Sequence, residues 1–304
     1  MGVRLLVASR SDVGRVRAGN EDAFLVADDP RLVAVADGMG GHQAGEVASA
    51  TAVATLLERV QHGEPIDTAI SAANDAVVTQ SQDDESLRGM GTTLTVGMVD
   101  GSSLRIGHVG DSRAYLLHGG ELRQLTTDHS VVAELIAAGE LTEEQALVDP
   151  RRSMITRALG IEASVAVDVL TVELEPGDRL LLCSDGLTTM VRDDAIAEIL
   201  AAERDRERAA DALVDAANAA GGADNVTVVV ADVVDVDAPF EDTMETPAVA
   251  GEVVAASTAA ATDDGAPTVT DDGDPDGALE ALRDAVDAEV SAPRRRWWQR
   301  RKRS

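Results

Sequence analysis

The sequence has 304 residues, of which 44% are hydrophobic and only 2% aromatic, and its formal net charge is −29. Such an acidic chain is not expected to be a general nucleic-acid binder, because phosphate binding needs clustered lysines and arginines. The single cysteine, Cys183, excludes a disulfide framework and a four-thiolate zinc site. The N-terminus lacks a signal-peptide pattern and no uncharged run reaches the ~18 residues of a membrane span, so we expect a soluble cytoplasmic protein.

Apolar runs rich in β-branched residues predict strands within residues 1–236, and amphipathic stretches between them predict helices. The helices come mostly in pairs after groups of strands and do not alternate singly with them. This order argues against a doubly wound parallel sheet and favours an α+β fold, with antiparallel sheets covered by helix pairs. In chain order the strands are predicted at 4–8, 23–26, 32–36, 93–99, 103–109, 114–117, 166–174, 179–183 and 226–233, and the helices at 46–61, 66–82, 130–138, 193–201 and 206–220.

Charge divides the remainder of the chain into two segments. Residues 237–293 contain 15 acidic residues and one arginine among recurring Pro, Gly, Ser and Thr, which is too little apolar surface to offset the entropy of ordering. Residues 294–304 contain seven basic residues and no acid. We therefore predict a folded domain at 1–236, a disordered acidic linker at 237–293, and a basic tag at 294–304. A helix near 278–290 would be marginal by itself.

The basic tag has three interpretations that stay open at this point. Basic residues beside Trp297 and Trp298 suit a membrane surface that carries anionic lipid. They equally suit the acidic body of the chain itself, or an acidic partner. We predict that residues 294–303 make a peripheral contact of one of these kinds and so recruit the domain, without a transmembrane segment.

Acidic residues recur at the junctions of the predicted strands, most of them beside glycine. A carboxylate at the end of a buried strand is costly to desolvate unless it meets a donor or a cation. Several such acids predict a shared site for Mn²⁺ or Mg²⁺, which prefer oxygen ligands, and the scarcity of histidine disfavours zinc. These junction residues are Glu21 and Asp22, Asp37 with Gly38, Asp111, Asp185 with Gly186, and Asp224.

A purely structural interpretation of these junctions is also open. A single Asp-Gly after a strand is usually a turn, in which glycine supplies a positive φ and the aspartate caps the turn. Glu21 and Asp22 would then be an ordinary solvated pair. Five such elements in one domain, each at a strand junction, favour a shared site.

Eight short motifs run through the chain in a fixed order. They are GRVRAGNEDA (14–23), VADGMGGHQAGEVAS (35–49), GMGTTLTV (89–96), GDSRAYLL (110–117), LTTDHS (125–130), ITRALG (155–160), CSDGL (183–187) and ADNVTVVV (223–230). Over about residues 3–233 the chain thus resembles the bacterial branch of the PP2C, or PPM, metal-dependent Ser/Thr protein phosphatases. The resemblance implies a four-layer α/β/β/α sandwich with a binuclear Mn²⁺ or Mg²⁺ centre in a cleft at one end.

The resemblance also implies the ligands of that centre. Asp37 would bridge the two cations, and the Gly38 carbonyl would bind one of them. Asp185 and Asp224 would complete the shell of the other cation. With two cations so placed, a shared water would be activated for in-line displacement at a phosphoryl group.

Further residues match supporting positions of the family pattern. Glu21 and Asp22 match an acidic pair that ligates through water or supports the ligands. Asp111, together with Asp185, matches a third and weaker metal site. Arg17 stands where the family holds phosphate with an arginine, whose fork suits a bidentate grip. The residues expected mainly to shape the site are Thr92, Thr93, Asp128, Ser130 and Asn225.

One position departs from the family pattern. The animal branch has histidine directly after the Asp-Gly of the second motif, where it is usually considered the general acid, whereas this chain has Met39. His42 follows three residues later, at a predicted helix start, and either protonates the leaving group or caps the helix. A metal-bound water is the other candidate donor.

Cys183 lies in an apolar run and lacks the C-x5-R spacing of cysteine phosphatases, which predicts a buried hydrophobic residue.

We therefore predict a phosphoric monoester hydrolase that acts on phosphorylated proteins, among them Ser/Thr kinases and their substrates, and so opposes Hanks-type kinases. Residues 129–150 would form a helical insertion beside the cleft, the flap. The alternative is a pseudophosphatase that binds phosphoproteins without hydrolysis. Such chains typically lose metal-ligand acids, whereas Asp37, Asp185 and Asp224 are all present.

Overall fold

The structure, a computed structural model, describes residues 2–27, 31–40 and 43–237, and the backbone of 252–255. His42, the basic tag and the remainder of the predicted linker lie outside these ranges. The described residues all belong to one unit, Met1–Thr262. Within them, no helix is both long and apolar enough to cross a membrane.

Strands and helices form close to the predicted positions. The strands are β1 (Val3–Asp12), β2 (Asp22–Ala27), β3 (Leu32–Met39), β4 (Gly91–Thr92), β5 (Leu94–Asp100), β6 (Ser103–Val109), β7 (Arg113–His118), β8 (Glu121–Gln124), β9 (Asp168–Glu173), β10 (Arg179–Cys183), β11 (Val226–Asp235) and β12 (Glu252–Ala255). The helices are α1 (Ala44–Gln61), α2 (Ile66–Asp83), α3 (Val131–Ala137), α4 (Glu143–Ala146), α5 (Asp185–Thr188), α6 (Asp193–Ala202) and α7 (Arg206–Ala219).

The strands form two antiparallel sheets that pack against each other. The first has the order β1-β11-β10-β7-β8, and the second has the order β12-β2-β3-β5-β6-β9 with β4 paired to β3. Side chains of β10 alternate between two cores: Leu180 and Leu182 lie between the sheets, whereas Leu181 and Cys183 pack with residues of α6 and α7. On the far side, α1 packs on β3 and α2 on β6. The layers are therefore α/β/β/α, as predicted.

The core between the sheets is built almost entirely from aliphatic side chains. Val33 and Ile106 of the second sheet meet Leu182 and Val229 of the first, and Phe24 is the aromatic member of this cluster. Each such side chain contributes about 1.5–3 kcal/mol when it is removed from water. A chain with 2% aromatic residues thus forms its core from closely packed β-branched residues and leucines.

Short elements escaped the sequence prediction. β8, α4 and α5 have four residues each, which is too short for a periodic pattern to stand out. β12 is a further short element, within the segment 237–293, in which Glu252 to Ala255 pair with Val26 to Ala23 of β2. Without β12, β2 would present an unpaired row of N–H and C=O groups, and a short backbone segment satisfies that edge.

Candidate metal centre

The predicted acidic residues lie at one end of the two sheets. Asp22 begins β2 and stands directly opposite Asp37, near the end of β3. Asp185 follows β10 as the first residue of α5, and Asp224 lies two residues before β11. Because β10 and β11 are antiparallel neighbours, the end of one lies beside the start of the other. Asp111 occupies the loop from β6 to β7 at the same end.

The carboxyl groups interact strongly with one another. Asp185 shares a hydrogen bond with the Asp37 carboxyl, and the two are partly buried. Burial, and then the charges of the neighbouring aspartates, raise the pKa of Asp37 well above its ordinary value. Burial also raises the pKa of Asp22 and that of Asp111 to about 7. Acids that resist ionisation because they face like charges are a fitting environment for a divalent cation.

Asp22 supplies the sharpest sign that an ion belongs here. Its side chain is buried, and Oδ2 accepts a hydrogen bond from the Ser184 hydroxyl at 2.8 Å. Oδ1 is also buried but has no hydrogen-bond partner. A buried carboxylate oxygen without a partner is costly, and a cation or the water of its hydration shell would satisfy it. The donor set therefore fits oxygen-preferring Mn²⁺ or Mg²⁺.

The glycines beside Asp37 and Asp185 are needed for close approach, and the turn interpretation is wrong for them. Gly38 is still within β3 and Gly186 is within α5, and neither has a positive φ. A Cβ on Gly38 would overlap the carbonyl oxygens of Gly45 and Glu21, and one on Gly186 would overlap the carbonyl oxygen of Asn225. Glycine thus lets three backbone segments meet at the site.

Replacing Gly186 by alanine is expected to destabilise the protein by about 1–3 kcal/mol, because the backbone of Asn225 must shift to make room for the methyl group. Activity should fall as well, since the displaced residue is Asn225. Gly2→Ala is the matched control, because a Cβ there meets Val236 at an ordinary 3.5 Å. Urea unfolding and steady-state kinetics measure both effects, and a Gly186→Ala protein as stable and active as Gly2→Ala would contradict the close-packing argument.

Arg17 lies beside the cluster and already binds one of its acids. Its Nη2 donates to Asp224 Oδ2 at 2.7 Å, and this bond raises the pKa of the guanidinium. The Arg17 side chain is half exposed, so it can be reached from solvent. A partly exposed arginine against an anionic oxygen is the arrangement expected of a phosphate-binding group.

Asn225 holds the loop that carries Arg17. Its Oδ1 accepts from the Glu21 N–H at 2.8 Å, and its Nδ2 donates to the carbonyls of Val13 and Gly19, each at 2.9 Å. One buried side chain thus fixes the loop on both sides of Arg17. The expectation that Asn225 shapes the site agrees with these contacts.

The two threonines of the third motif hold the Asp37 backbone. Thr93 Oγ1 accepts from the Asp37 N–H at 2.9 Å, and Thr92 Oγ1 donates to the Asp37 carbonyl at 3.0 Å. Ser112 Oγ in turn lies 2.7 Å from Thr93 Oγ1. The direction of the Asp37 side chain therefore depends on buried hydroxyl groups.

The predicted ligands are not all oriented to bind a metal ion in this structure. Within the described residues, no three acidic, histidine or cysteine side chains stand together in an arrangement that would hold a metal ion. Asp224 is engaged by Arg17 and Asp22 by Ser184, so a ligand set would be completed by rotation of these side chains.

Cys183 is fully buried, and burial raises its pKa to about 12, which excludes it as a nucleophile.

Sequence reasoning missed two supporting residues. Ser184 links the sheets by donating to Asp22, and its Oγ accepts from the Thr227 N–H at 3.0 Å. Asn20 is buried, and its Oδ1 accepts from the Asp22 N–H at 3.1 Å. Both directly precede a predicted acid and lie within the motifs GRVRAGNEDA and CSDGL, which was the available signal.

Two solved structures of serine/threonine phosphatases share this fold. The crystal structure of the Mycobacterium tuberculosis serine/threonine phosphatase PstP/Ppp aligns with a TM-score of 0.71 and 43% identity, covering 77% of this chain and all of that one. The catalytic domain of PstP in complex with two manganese ions aligns with a TM-score of 0.70 and 44% identity, with the same coverage. The fold prediction is confirmed, and the two manganese ions of that relative support the predicted cofactor.

Sequence comparison identifies the same family. A family model described as protein phosphatase 2C matches residues 15–222. The serine/threonine phosphatase stp of Listeria monocytogenes is 44% identical over 232 residues, which are 72% of this chain and 92% of that protein. The chain therefore belongs to the protein phosphatase 2C family and is a protein-serine/threonine phosphatase, which confirms the resemblance and the enzyme class predicted from the motifs.

Proposed function

We propose that this chain hydrolyses phosphoserine and phosphothreonine in proteins with two divalent cations, Mn²⁺ or Mg²⁺, held by its carboxylate cluster. The observation that carries the proposal is the buried, unpartnered Oδ1 of Asp22 among aspartates whose pKa values are raised. When bound, two such cations lower the pKa of a shared water and neutralise the phosphoryl oxygens.

The proposed roles follow from where each side chain lies. Asp37, between Asp22 and Asp185, is placed to bridge two cations. Burial and the charge of Asp185 act on Asp111, which suits a weaker third site between these two residues. His42 lies outside the described residues, and its proposed role, protonation of the leaving group, rests on the sequence motif alone. The full proposed ligand set is Glu21, Asp22, Asp37, the Gly38 carbonyl, Asp111, Asp185 and Asp224.

Arg17 is proposed to exchange partners during the reaction. Its Nη2 donates to Asp224 Oδ2, which leaves this oxygen less available to a cation. If Arg17 turns to the substrate, its guanidinium binds two phosphate oxygens and Asp224 becomes free for the metal. The positive charge of Arg17 then also lies against the equatorial oxygens, where negative charge spreads in the transition state.

Replacing Arg17 by alanine is expected to lower kcat/KM for a phosphothreonine peptide about 10²-fold, because bonds to charged groups contribute about 1.5–3 kcal/mol each. Arg17→Lys should recover only part of the loss, since an ammonium group cannot grip two oxygens in a plane. Mn²⁺ affinity should not fall, because Asp224 loses a competitor. Arg123→Ala, at an exposed position of β8, is the control. Weaker Mn²⁺ binding with unchanged peptide kinetics would contradict the exchange.

The direct test of the proposed function is phosphate release from a phosphothreonine peptide with and without divalent ions. We expect turnover with Mn²⁺ or Mg²⁺ and none with a chelator. A wild-type protein that binds the phosphopeptide but stays inactive with every divalent ion would instead support the binding-only alternative, which no relative named above favours.

We also propose that the substrates include Ser/Thr kinases and their targets, and that residues 294–304 recruit the enzyme through their basic charge. Deleting 294–304 should then leave hydrolysis of a small aryl phosphate unchanged within about twofold. The same deletion should alter either binding to anionic vesicles or the preference among phosphoproteins. Loss of aryl phosphate hydrolysis would show that the segment is not a separable tag.

A further inference from the structure

The backbone of Gly110, which precedes Asp111, has a conformation that contacts from other residues must stabilise. Gly110 has φ = +113°, a region that L side chains rarely adopt, and a Cβ there would lie 2.5 Å from Thr93 Cβ. Glycine makes this geometry accessible but does not enforce it, because it is the least restricted residue. Hydrogen bonds to Gly110 therefore decide in which direction Asp111 leaves the backbone.

His129 makes both of the hydrogen bonds described for the Gly110 backbone. The His129 N–H donates to the Gly110 carbonyl at 2.8 Å, and the Gly110 N–H donates to Nδ1 of the His129 ring at 3.0 Å. The ring is buried. Since a backbone N–H can only donate, Nδ1 of the ring accepts from Gly110.

Asp168 orients the other side of the ring. Its Oδ2 lies 3.1 Å from His129 Nε2, and its Oδ1 accepts from Arg157 at 2.7 Å. Burial acts to raise the pKa of Asp168, but the hydrogen bonds from His129 and Arg157 outweigh it and the pKa is lowered. Asp168 Oδ2 and Arg157 Nη1, which lies 2.9 Å from Nε2, therefore hold the Nε2 side of the ring and leave Nδ1 directed at Gly110.

We propose that His129, oriented by Asp168, is a positioning residue that locks the Gly110 peptide and so aims the Asp111 carboxylate into the metal cluster. The inference rests on the proposed role of Asp111 as a ligand. The next residue is held separately, because Ser112 bonds to Thr93 and Thr95 through its hydroxyl and its carbonyl. His129 thus holds the Gly110 side of Asp111 by hydrogen bonds, in addition to the packing of Thr93 against Gly110.

The test is Mn²⁺ binding by calorimetry on the full chain, with variants of His129 and Asp111 combined. His129→Ala is expected to weaken the Asp111-dependent Mn²⁺ site about 10–100-fold. In kinetics with a small aryl phosphate, kcat should fall while KM changes little. His129→Asn should recover most of the affinity, because the asparagine oxygen can accept from the Gly110 N–H. His62→Ala, at an exposed position after α1, should behave as wild type.

The combined variant separates positioning from a general structural effect. With Asp111→Asn already present, His129→Ala should cause no further loss of Mn²⁺ affinity, because both changes act on one ligand. A loss of the same size in both backgrounds, or wild-type Mn²⁺ binding by His129→Ala, overturns the inference. Wild-type binding by Asp111→Asn overturns the ligand assignment together with the inference, whereas a wild-type chain that binds no Mn²⁺ overturns the proposed function itself. Thermal unfolding in chelator establishes that each variant folds.

Discussion

Replacing Asp37 by asparagine is expected to lower kcat by at least about 10³-fold, which corresponds to about 4 kcal/mol of transition-state stabilisation. Asp37 faces Asp22 across the β2–β3 pair and shares a hydrogen bond with Asp185, so it is the side chain best placed to serve two cations. Asparagine keeps the shape but removes the negative charge that would hold them. Steady-state hydrolysis of an aryl phosphate over a range of Mn²⁺ concentrations measures the loss.

The matched control for Asp37→Asn is Asp75→Asn, on the exposed face of α2, which should hydrolyse the aryl phosphate as wild type does. Saturating Mn²⁺ is not expected to rescue the Asp37 variant, because a bridging position is lost and not merely weakened. An Asp37→Asn protein that keeps more than a tenth of wild-type kcat would remove Asp37 from the centre of the mechanism.

Replacing Asp22 by asparagine is expected to stabilise the metal-free protein at pH 8 by about 2–4 kcal/mol. The folded-state pKa of Asp22, about 7, lies above the ordinary aspartate value of 3.8, so the folded state holds an extra proton between these values. The stability that this proton contributes is complete below pH 3.8 and is lost as the pH rises through 7. Asparagine cannot ionise, so the variant does not lose this stability as the pH rises. Denaturant unfolding in chelator at pH 5 and pH 8 measures the difference.

His108 contributes a pH dependence of opposite sign. Burial, and then the neighbouring His129, lower the pKa of His108 to about 4, so stability falls as the pH drops from 6.5 towards 4. Wild type and Asp22→Asn share this effect, and their difference therefore isolates Asp22. Asp75→Asn should show no such difference. A difference that does not grow between pH 5 and pH 8 would show that Asp22 is not a strained buried acid.

Mn²⁺ should reduce the stability advantage of Asp22→Asn over wild type. A ligand that binds only the folded state stabilises it by about 2.7 kcal/mol at a hundred times its Kd. Wild type should gain this amount, because the cation relieves the repulsion among its aspartates, while Asp22→Asn should gain less. The acids expected to make the metal-free domain less stable are thus the same acids that are proposed to bind its cofactor.

Local pattern was enough to predict most of the fold and the identity of the acids. The predicted strands 179–183 and 226–233 contain continuous apolar runs, at 180–183 and 228–231, which marks strands buried on both faces. The acids stand out because Asp37 and Asp185 each end such a run, where a charge is otherwise expensive. The segment 252–255 could not be predicted as a strand, since its pairing depends on the free edge of β2 and not on its own composition.

What the amino-acid sequence determined by itself is the order of the elements, the acids at their junctions and the family to which the chain belongs. Tertiary structure alone decided that Gly38 and Gly186 serve close approach and not turns, because the atoms they would strike belong to distant segments. It alone joined Arg17 to Asp224 across 207 positions of sequence. Such contacts depend on sheet register and on how two sheets pack, and no local pattern encodes either.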